Sequence, residues 1–112
     1  LGSYILSYPE VAYIQLFSAL PKSVIEQYLQ SSSLSVLYTK KHTEFYKTLH
    51  SFVQHLGSYA ETAQALFIHK NTLLYRLSKI QALTGFDYSS PESILSAAFF
   101  FAANEYLRGS EE

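Results

Sequence analysis

The residues best suited to chemistry in this sequence are cations that share one short stretch of chain. Between residues 62 and 86 there is no Asp or Glu, whereas Lys70, Arg76 and Lys79 lie there with His69 beside them. Ammonium and guanidinium groups bind phosphate oxygens well. Although the whole chain has a formal net charge of only −1, this local distribution indicates a positive surface that fits a polyanion such as DNA.

Two helices joined at a corner are predicted to hold these side chains. Ser58 followed by Glu61 matches a capping box and predicts a short helix that ends near Leu66. A longer helix is predicted from about His69 to about Leu83, because apolar residues recur there at helical spacing. The residues of its buried stripe are Leu73, Leu77 and Ile80.

A short helix, a tight connection and a longer helix form the helix-turn-helix design, in which the start of the second helix contacts base edges. His69 and Lys70 would lie at the tip of that helix, with Asn71 opposite the buried stripe and Thr72 on one flank. Amide and ammonium groups suit adenine and guanine respectively, and a threonine suits a phosphate or a thymine methyl group.

Phosphate contacts are predicted for a second set of residues around this tip. Tyr75, Arg76 and Lys79 follow on the same helix and can hydrogen bond to phosphate oxygens. Ser58 and Tyr59 begin the shorter helix, where free backbone N–H groups favour an anion. The predicted DNA-binding set is therefore Ser58, Tyr59, His69, Lys70, Asn71, Thr72, Tyr75, Arg76 and Lys79.

The composition favours an all-α fold, and the helical segments together predict a bundle of about six helices that contains a helix-turn-helix motif, which we class as Fis-like. The 112 residues are 48% hydrophobic with only 4 Gly and 3 Pro, which favours long helices around one core. No cysteine is present, so disulfide and thiolate metal sites are excluded, and a cytoplasmic protein is expected. Neither a membrane span nor a catalytic motif is apparent, and we expect no enzyme activity, cofactor, metal or small-molecule ligand.

The remaining helices are placed by apolar spacing and by stop signals. One is expected from Pro9 to about Leu20 and another from Pro21, with Val24, Ile25, Tyr28 and Leu29 as its buried face. A third spans 41–56 and is ended by Gly57, and residues 31–38 before it are expected to form a loop and a lead-in. The residues of its stripe are Phe45, Leu49, Phe52, Val53 and Leu56.

A last helix opens at residues 90–92 and runs to about Leu107, with Ile94, Leu95, Ala98, Phe99, Ala102 and Tyr106 as its apolar residues. Because it is apolar nearly all round, it is either wrapped by the N-terminal helices or pairs with another chain. We divide the chain into a helical lead-in or linker from an upstream domain, 1–39, and a helix-turn-helix domain, 40–112.

The stretch LFIHKNTLLYRLSKIQALTG resembles the C-terminal helix-turn-helix signature of the PucR/CdaR family of bacterial regulators. The resemblance implies DNA binding, control of transcription, and work as a dimer or higher oligomer. It also assigns Lys70, Asn71, Thr72, Tyr75 and Arg76 to the recognition helix.

Two positions depart from the expected pattern. Leu74 stands where such helices often have a cation, and Phe67 stands where a generic helix-turn-helix has glycine. Together with the near-neutral charge and the apolar helix 91–107, Leu74 motivates an alternative function, a helical protein-interaction or dimerisation module without DNA binding. Binding to duplex DNA separates the two functions, since only the first predicts an affinity that falls with salt.

Overall fold

Most of the chain that the structure describes is helical, as the apolar spacing predicts. The structure, a computed structural model, describes residues 8–111, with side chains from 12 to 109. In that range the backbone forms six α-helices and two 3-10 helices and no strand. The α-helices are α1 (Tyr8–Ser18), α2 (Lys22–Ser31), α3 (Thr43–Gln54), α4 (Tyr59–Leu66), α5 (Lys70–Thr84) and α6 (Pro91–Glu111).

The all-α class and the number of helices are thus confirmed. One local prediction was wrong, because residues 31–38 are not simply a loop and a lead-in. Ser33–Tyr38 forms a 3-10 helix, and a second one, Lys40–His42, follows directly. The first buries Leu34 and Leu37 and packs against both α3 and α5. Two leucines three residues apart lie on one face of a 3-10 helix, which explains why so short a segment adds to the core.

The chain divides into two compact units. The corner unit, Ser33–Ala98, contains the 3-10 helices, α3, α4, α5 and the start of α6. The terminal unit contains α1, α2 and the remainder of α6 from Phe99. The proposed boundary between residues 39 and 40 stays a prediction, and the first seven residues of the expected lead-in lie outside the described residues.

The core of the corner unit forms where α3 packs against α5. Leu49 and Phe52 of α3 are completely buried, and so are three residues of α5. α4 packs against both of these helices. The α5 residues are Leu73, Leu77 and Ile80, each at 0% exposure. Full burial of one such side chain contributes about 1.5–3 kcal/mol, so this stripe fixes which face of α5 points inward.

The end of α3 has two residues in left-handed backbone conformations. The Leu56 N–H donates to the Val53 carbonyl, and the Gly57 N–H donates to the Phe52 carbonyl at 2.9 Å, which is a Schellman motif. Gly57 has a φ of 83°, as predicted for a helix stop, and Leu56 has a φ of 54°. Leu56 is also 85% exposed, so its placement in the buried stripe was wrong.

Gly57 is required for packing as well as for its backbone conformation. A Cβ atom at this position would lie 2.7 Å from the Cδ1 atom of Ile94, at the start of α6. A side chain would therefore push Ile94 out of place, and α6 can begin close to the end of α3 only because residue 57 has none.

In the terminal unit, aromatic rings of α1 and α2 surround one face of α6. The Phe17 ring, 1% exposed, lies 5.0 Å from that of Phe99 and 5.8 Å from that of Tyr106. The ring of Phe99 also meets Tyr13 and Tyr28 edge to face, at 5.4 Å each. The expectation that N-terminal helices wrap the apolar last helix is therefore confirmed for this half of α6.

Two apolar residues of the predicted helices are exposed, namely Val24, which was assigned to a buried face, and Leu95, which was named among the apolar residues of the last helix. Val24 is 44% exposed, although Ile25 and Leu29 on the same helix are buried. Leu95 is 64% exposed, whereas Ala97 on the same helix is buried. Adjacent residues on a helix are separated by about 100°, so an apolar neighbour in sequence is often left outside the buried sector.

Candidate nucleic-acid interface

The corner predicted near Ile68 is present and is built from the end of α4. The Ile68 N–H donates to the Ala63 carbonyl at 3.0 Å, and the Phe67 N–H donates to that of Gln64 at 3.2 Å. Phe67 has a φ of 57°, so it takes the left-handed position that glycine usually occupies in this Schellman motif. Ala63 is 7% exposed, as expected for a small residue where two helices cross.

His69 forms the cap of α5. Its Nδ1 atom accepts a hydrogen bond from the Asn71 N–H at 3.0 Å. A neutral imidazole that accepts at Nδ1 has its proton on Nε2, so this second nitrogen is a donor. Because His69 is exposed, that donor is available to a base edge or to a phosphate.

Ser58 caps α4 as predicted, but the capping box is only half formed. The Ser58 hydroxyl accepts from the Glu61 N–H at 3.1 Å. In a complete box the Glu61 carboxylate would accept from the Ser58 N–H, yet that N–H donates to the His55 carbonyl at 3.0 Å instead. The Ser58 N–H therefore belongs to the tight turn between α3 and α4 and does not take part in a capping box.

The start of α5 has the exposure that base contacts require. Lys70, Asn71 and Thr72 are all exposed, whereas the stripe on the opposite side of the helix is buried. Neither Lys70 nor Lys79 makes an ion pair with any residue that the structure describes. Their ammonium groups are therefore free for an external anion.

Tyr75 and Lys79 form a second exposed pair, one turn apart on α5. Tyr75 is 60% exposed, and the Lys79 Nζ atom lies 5.4 Å from the centre of its ring. A cation at this distance over an aromatic face is attracted to it, so the two side chains present a phenol and an ammonium group together. Leu74, which departs from the family pattern, is only half-buried.

Tyr59 links the starts of the two helices of the motif. Its ring stacks on that of Phe52 with centroids 5.6 Å apart and meets that of Tyr88 edge to face. The Lys70 Nζ atom lies 5.8 Å from the centre of the same ring. Ser58 and Tyr59 are both half-buried, so their side chains are less open than those of the α5 tip.

Arg76 differs from the other predicted contact residues. Its side chain is only 19% exposed, and its Nη2 atom lies 3.2 Å from Oε2 of Glu44 on α3. Its Nη1 atom donates to the Thr48 hydroxyl at 3.3 Å. No sequence signal linked α5 to these two partners, because 28 or more residues separate them from Arg76 along the chain.

Comparisons with known proteins agree with the helix-turn-helix formed by α4 and α5. The sequence model of the PucR C-terminal helix-turn-helix domain matches residues 45–103. The chain is 30% identical over 84 residues to the purine catabolism regulatory protein of Bacillus subtilis, which covers 72% of this chain and 15% of that protein. No solved structure matches.

Two further relatives are similar over shorter stretches. The carbohydrate diacid regulator of Escherichia coli is 49% identical over 41 residues, 37% of this chain and 11% of that protein. The transcriptional activator PmfR of Paenarthrobacter nicotinovorans is 40% identical over 62 residues, 55% of this chain and 13% of that protein. The chain therefore spans less than a fifth of the length of these relatives.

Proposed function

Because this chain belongs to the PucR C-terminal helix-turn-helix domain family, it is a DNA-binding domain of the transcription-regulator type, and we propose that it reads duplex DNA with the start of α5. In this proposal Lys70 and Asn71 contact base edges in the major groove. Thr72 and the Nε2–H of His69 complete the contact surface at the tip of the helix.

The observation that supports this proposal most strongly is the contrast between the two faces of α5. Leu73, Leu77 and Ile80 are completely buried, while Lys70 and Asn71 are exposed. A helix anchored in this way presents its polar start without any rearrangement. Little binding free energy is therefore lost to ordering the recognition surface.

Phosphate contacts would hold the helix in register. Tyr75 and Lys79 lie about one and two turns beyond the tip, and both can bind the strand that flanks the groove. Ser58 and Tyr59 mark the start of α4, whose first N–H groups can bind a phosphate of the other strand. Such contacts position the protein but carry no sequence information.

The proposal is tested by measuring the affinity of the chain for a duplex selected from a random DNA pool, across a series of salt concentrations. Each phosphate neutralised on B-DNA contributes a slope of about −0.9 to log K against log salt concentration. Because Lys79 is the cation that the proposal assigns to a phosphate, the slope should be about −0.9 or steeper for each bound chain. An affinity that is independent of salt would contradict the proposal.

Two lysine variants separate base reading from phosphate binding. Lys70→Ala should weaken binding to the selected duplex by about tenfold while hardly changing affinity for a scrambled one. Lys79→Ala should weaken both duplexes alike and reduce the salt slope by about 1. If Lys79→Ala changed sequence preference and Lys70→Ala did not, the orientation of α5 in the groove would be opposite to the one proposed.

For the whole protein, the names of the relatives support a role as a regulator. We infer a non-enzymatic, cytoplasmic transcription regulator that acts as a homodimer or higher oligomer on double-stranded DNA. Among the described helices, none combines the length and the apolar composition needed to cross a bilayer. We assign no small-molecule ligand to this part of the chain.

A further inference from the structure

Arg76 lies at the crossing of α3 and α5, and it joins the two helices through polar groups. Its guanidinium group contacts the Glu44 carboxylate at 3.2 Å and the Thr48 hydroxyl at 3.3 Å. Thr48 is completely buried, and its hydroxyl donates in turn to the Glu44 backbone carbonyl at 2.8 Å. Each of the three residues thus contacts the other two.

The cluster of Arg76, Glu44 and Thr48 restrains small rotations and shifts of α5, which burial of the apolar stripe does not prevent. Burial of Leu73 and Leu77 selects the inward face of α5, but the hydrophobic effect has no direction and tolerates small rotations and shifts. A planar guanidinium group held by two acceptors one turn apart on α3 restricts both. The cluster therefore sets the angle and the axial position of α5.

We infer that Arg76 and Glu44 are positioning residues for the recognition helix and that Arg76 is not a phosphate ligand. This inference rests on the proposed function. The sequence alone favoured a phosphate contact for Arg76, since an arginine on a recognition helix commonly makes one. In the structure, the Nη1 and Nη2 atoms of Arg76 contact Thr48 and Glu44 of α3 instead.

The two roles predict opposite effects of the substitution Glu44→Gln. If Glu44 holds Arg76 in a positioning cluster, loss of the carboxylate loosens α5 and weakens DNA binding. If Arg76 binds phosphate instead, Glu44 competes with the DNA, and its removal strengthens binding. Because the Glu44 side chain is 71% exposed, this substitution leaves the core intact.

The experiment measures the affinity and the salt slope of four chains, all at a temperature where each is fully folded by circular dichroism. These are the wild type, Glu44→Gln, Arg76→Met and the double variant. We expect each single variant to bind the selected duplex about threefold more weakly, which lies within the range for an exposed ion pair. The double variant should be no weaker than Arg76→Met, and all salt slopes should equal that of the wild type.

Glu61→Gln is the matched control for the loss of one negative charge. The Glu61 carboxylate lies in the first turn of α4 and makes no ion pair with any residue in the described range. Its removal should strengthen binding slightly, through the general field and through less repulsion of the phosphate proposed at the start of α4. Glu44→Gln must therefore be compared with Glu61→Gln, since both change the charge by the same amount.

Three results would overturn the inference, and they differ in what else they contradict. Tighter binding by Glu44→Gln than by Glu61→Gln, with a salt slope reduced by about 0.9 in Arg76→Met, would make Arg76 a phosphate ligand while leaving the proposed function intact. If the wild-type chain did not bind DNA at low salt, both the inference and the proposed function would be wrong. Equal binding by all the fully folded variants would also overturn the inference, because the cluster would then only stabilise the fold.

Discussion

At the scale of the single residue, Phe67 is the most unusual position in the corner. It combines a φ of 57° with 94% exposure, so it has a strained backbone conformation and gains almost no burial in return. A left-handed conformation costs a residue with a Cβ atom roughly 1 kcal/mol more than glycine. Phe67 therefore lowers the stability of the chain relative to glycine at this position.

Phe67→Gly should raise the free energy of unfolding by about 1 kcal/mol, since glycine takes this conformation without strain. Urea denaturation of the chain measures this change. Phe67→Ala is the control, because it removes the ring but keeps the Cβ atom, and it should leave stability within about 0.5 kcal/mol. A destabilised Phe67→Gly variant would show that the ring packs in a way its exposure does not indicate.

Two buried threonines should respond in opposite ways to the same substitution. The Thr62 hydroxyl is buried and has no hydrogen-bond partner among the described residues. The Thr48 hydroxyl accepts from Arg76 and donates to Glu44. Removing an unsatisfied buried polar group relieves a desolvation penalty, whereas removing a satisfied one leaves its partners unpaired.

We therefore predict that Thr62→Val stabilises the chain by about 1 kcal/mol and that Thr48→Val destabilises it by about the same amount. Valine has the same shape, so packing hardly changes in either variant. Thermal unfolding followed by circular dichroism measures both. Equal effects of the two substitutions would contradict the hydrogen-bond assignments.

At the scale of the element, the recognition helix depends on its cap. The Asn71 N–H has no partner within the helix and donates to Nδ1 of His69 instead. His69→Ala should cost about 1 kcal/mol of stability, and His69→Asn should restore most of it because asparagine is a good N-cap residue. Denaturation in urea tests this prediction. An alanine variant as stable as the wild type would mean that the cap is not formed.

The helices could be predicted from the sequence because their signals are local. Ser58 as a cap, the stripe ending at Ile80, and Gly57 as a stop all depend on neighbours within one or two turns. Features that depend on distant residues were not predictable in this way. The burial of Arg76 against Glu44 and the exposure of Leu95 follow from how helices pack, and that packing leaves no local pattern in the sequence.

At the scale of the whole molecule, the expectation of a homodimer through α6 stays a prediction. A two-fold dimer would place two recognition helices about 34 Å apart, so that they enter successive major grooves on one side of the DNA. The exposed Leu95 is the apolar residue of this helix that a partner could cover.

We expect two chains per duplex when the selected site contains two half-sites one helical turn apart, as counted by native mass spectrometry. Leu95→Glu should lower the fraction of duplex that carries two chains at limiting protein, because a carboxylate buried at an interface is costly and the second chain then binds without help from the first. Leu16→Glu is the control, since Leu16 is 48% exposed on α1, outside the proposed interface. If both substitutions left two chains bound, the dimer would form elsewhere.

The central claim, that the start of α5 contacts DNA, is tested most directly by amide chemical shifts of the labelled chain titrated with the selected duplex. The account predicts the largest changes at 69–72, with smaller ones near Ser58, Tyr75 and Lys79. Changes confined to α1, α2 and α6, with the start of α5 unaffected, would contradict it.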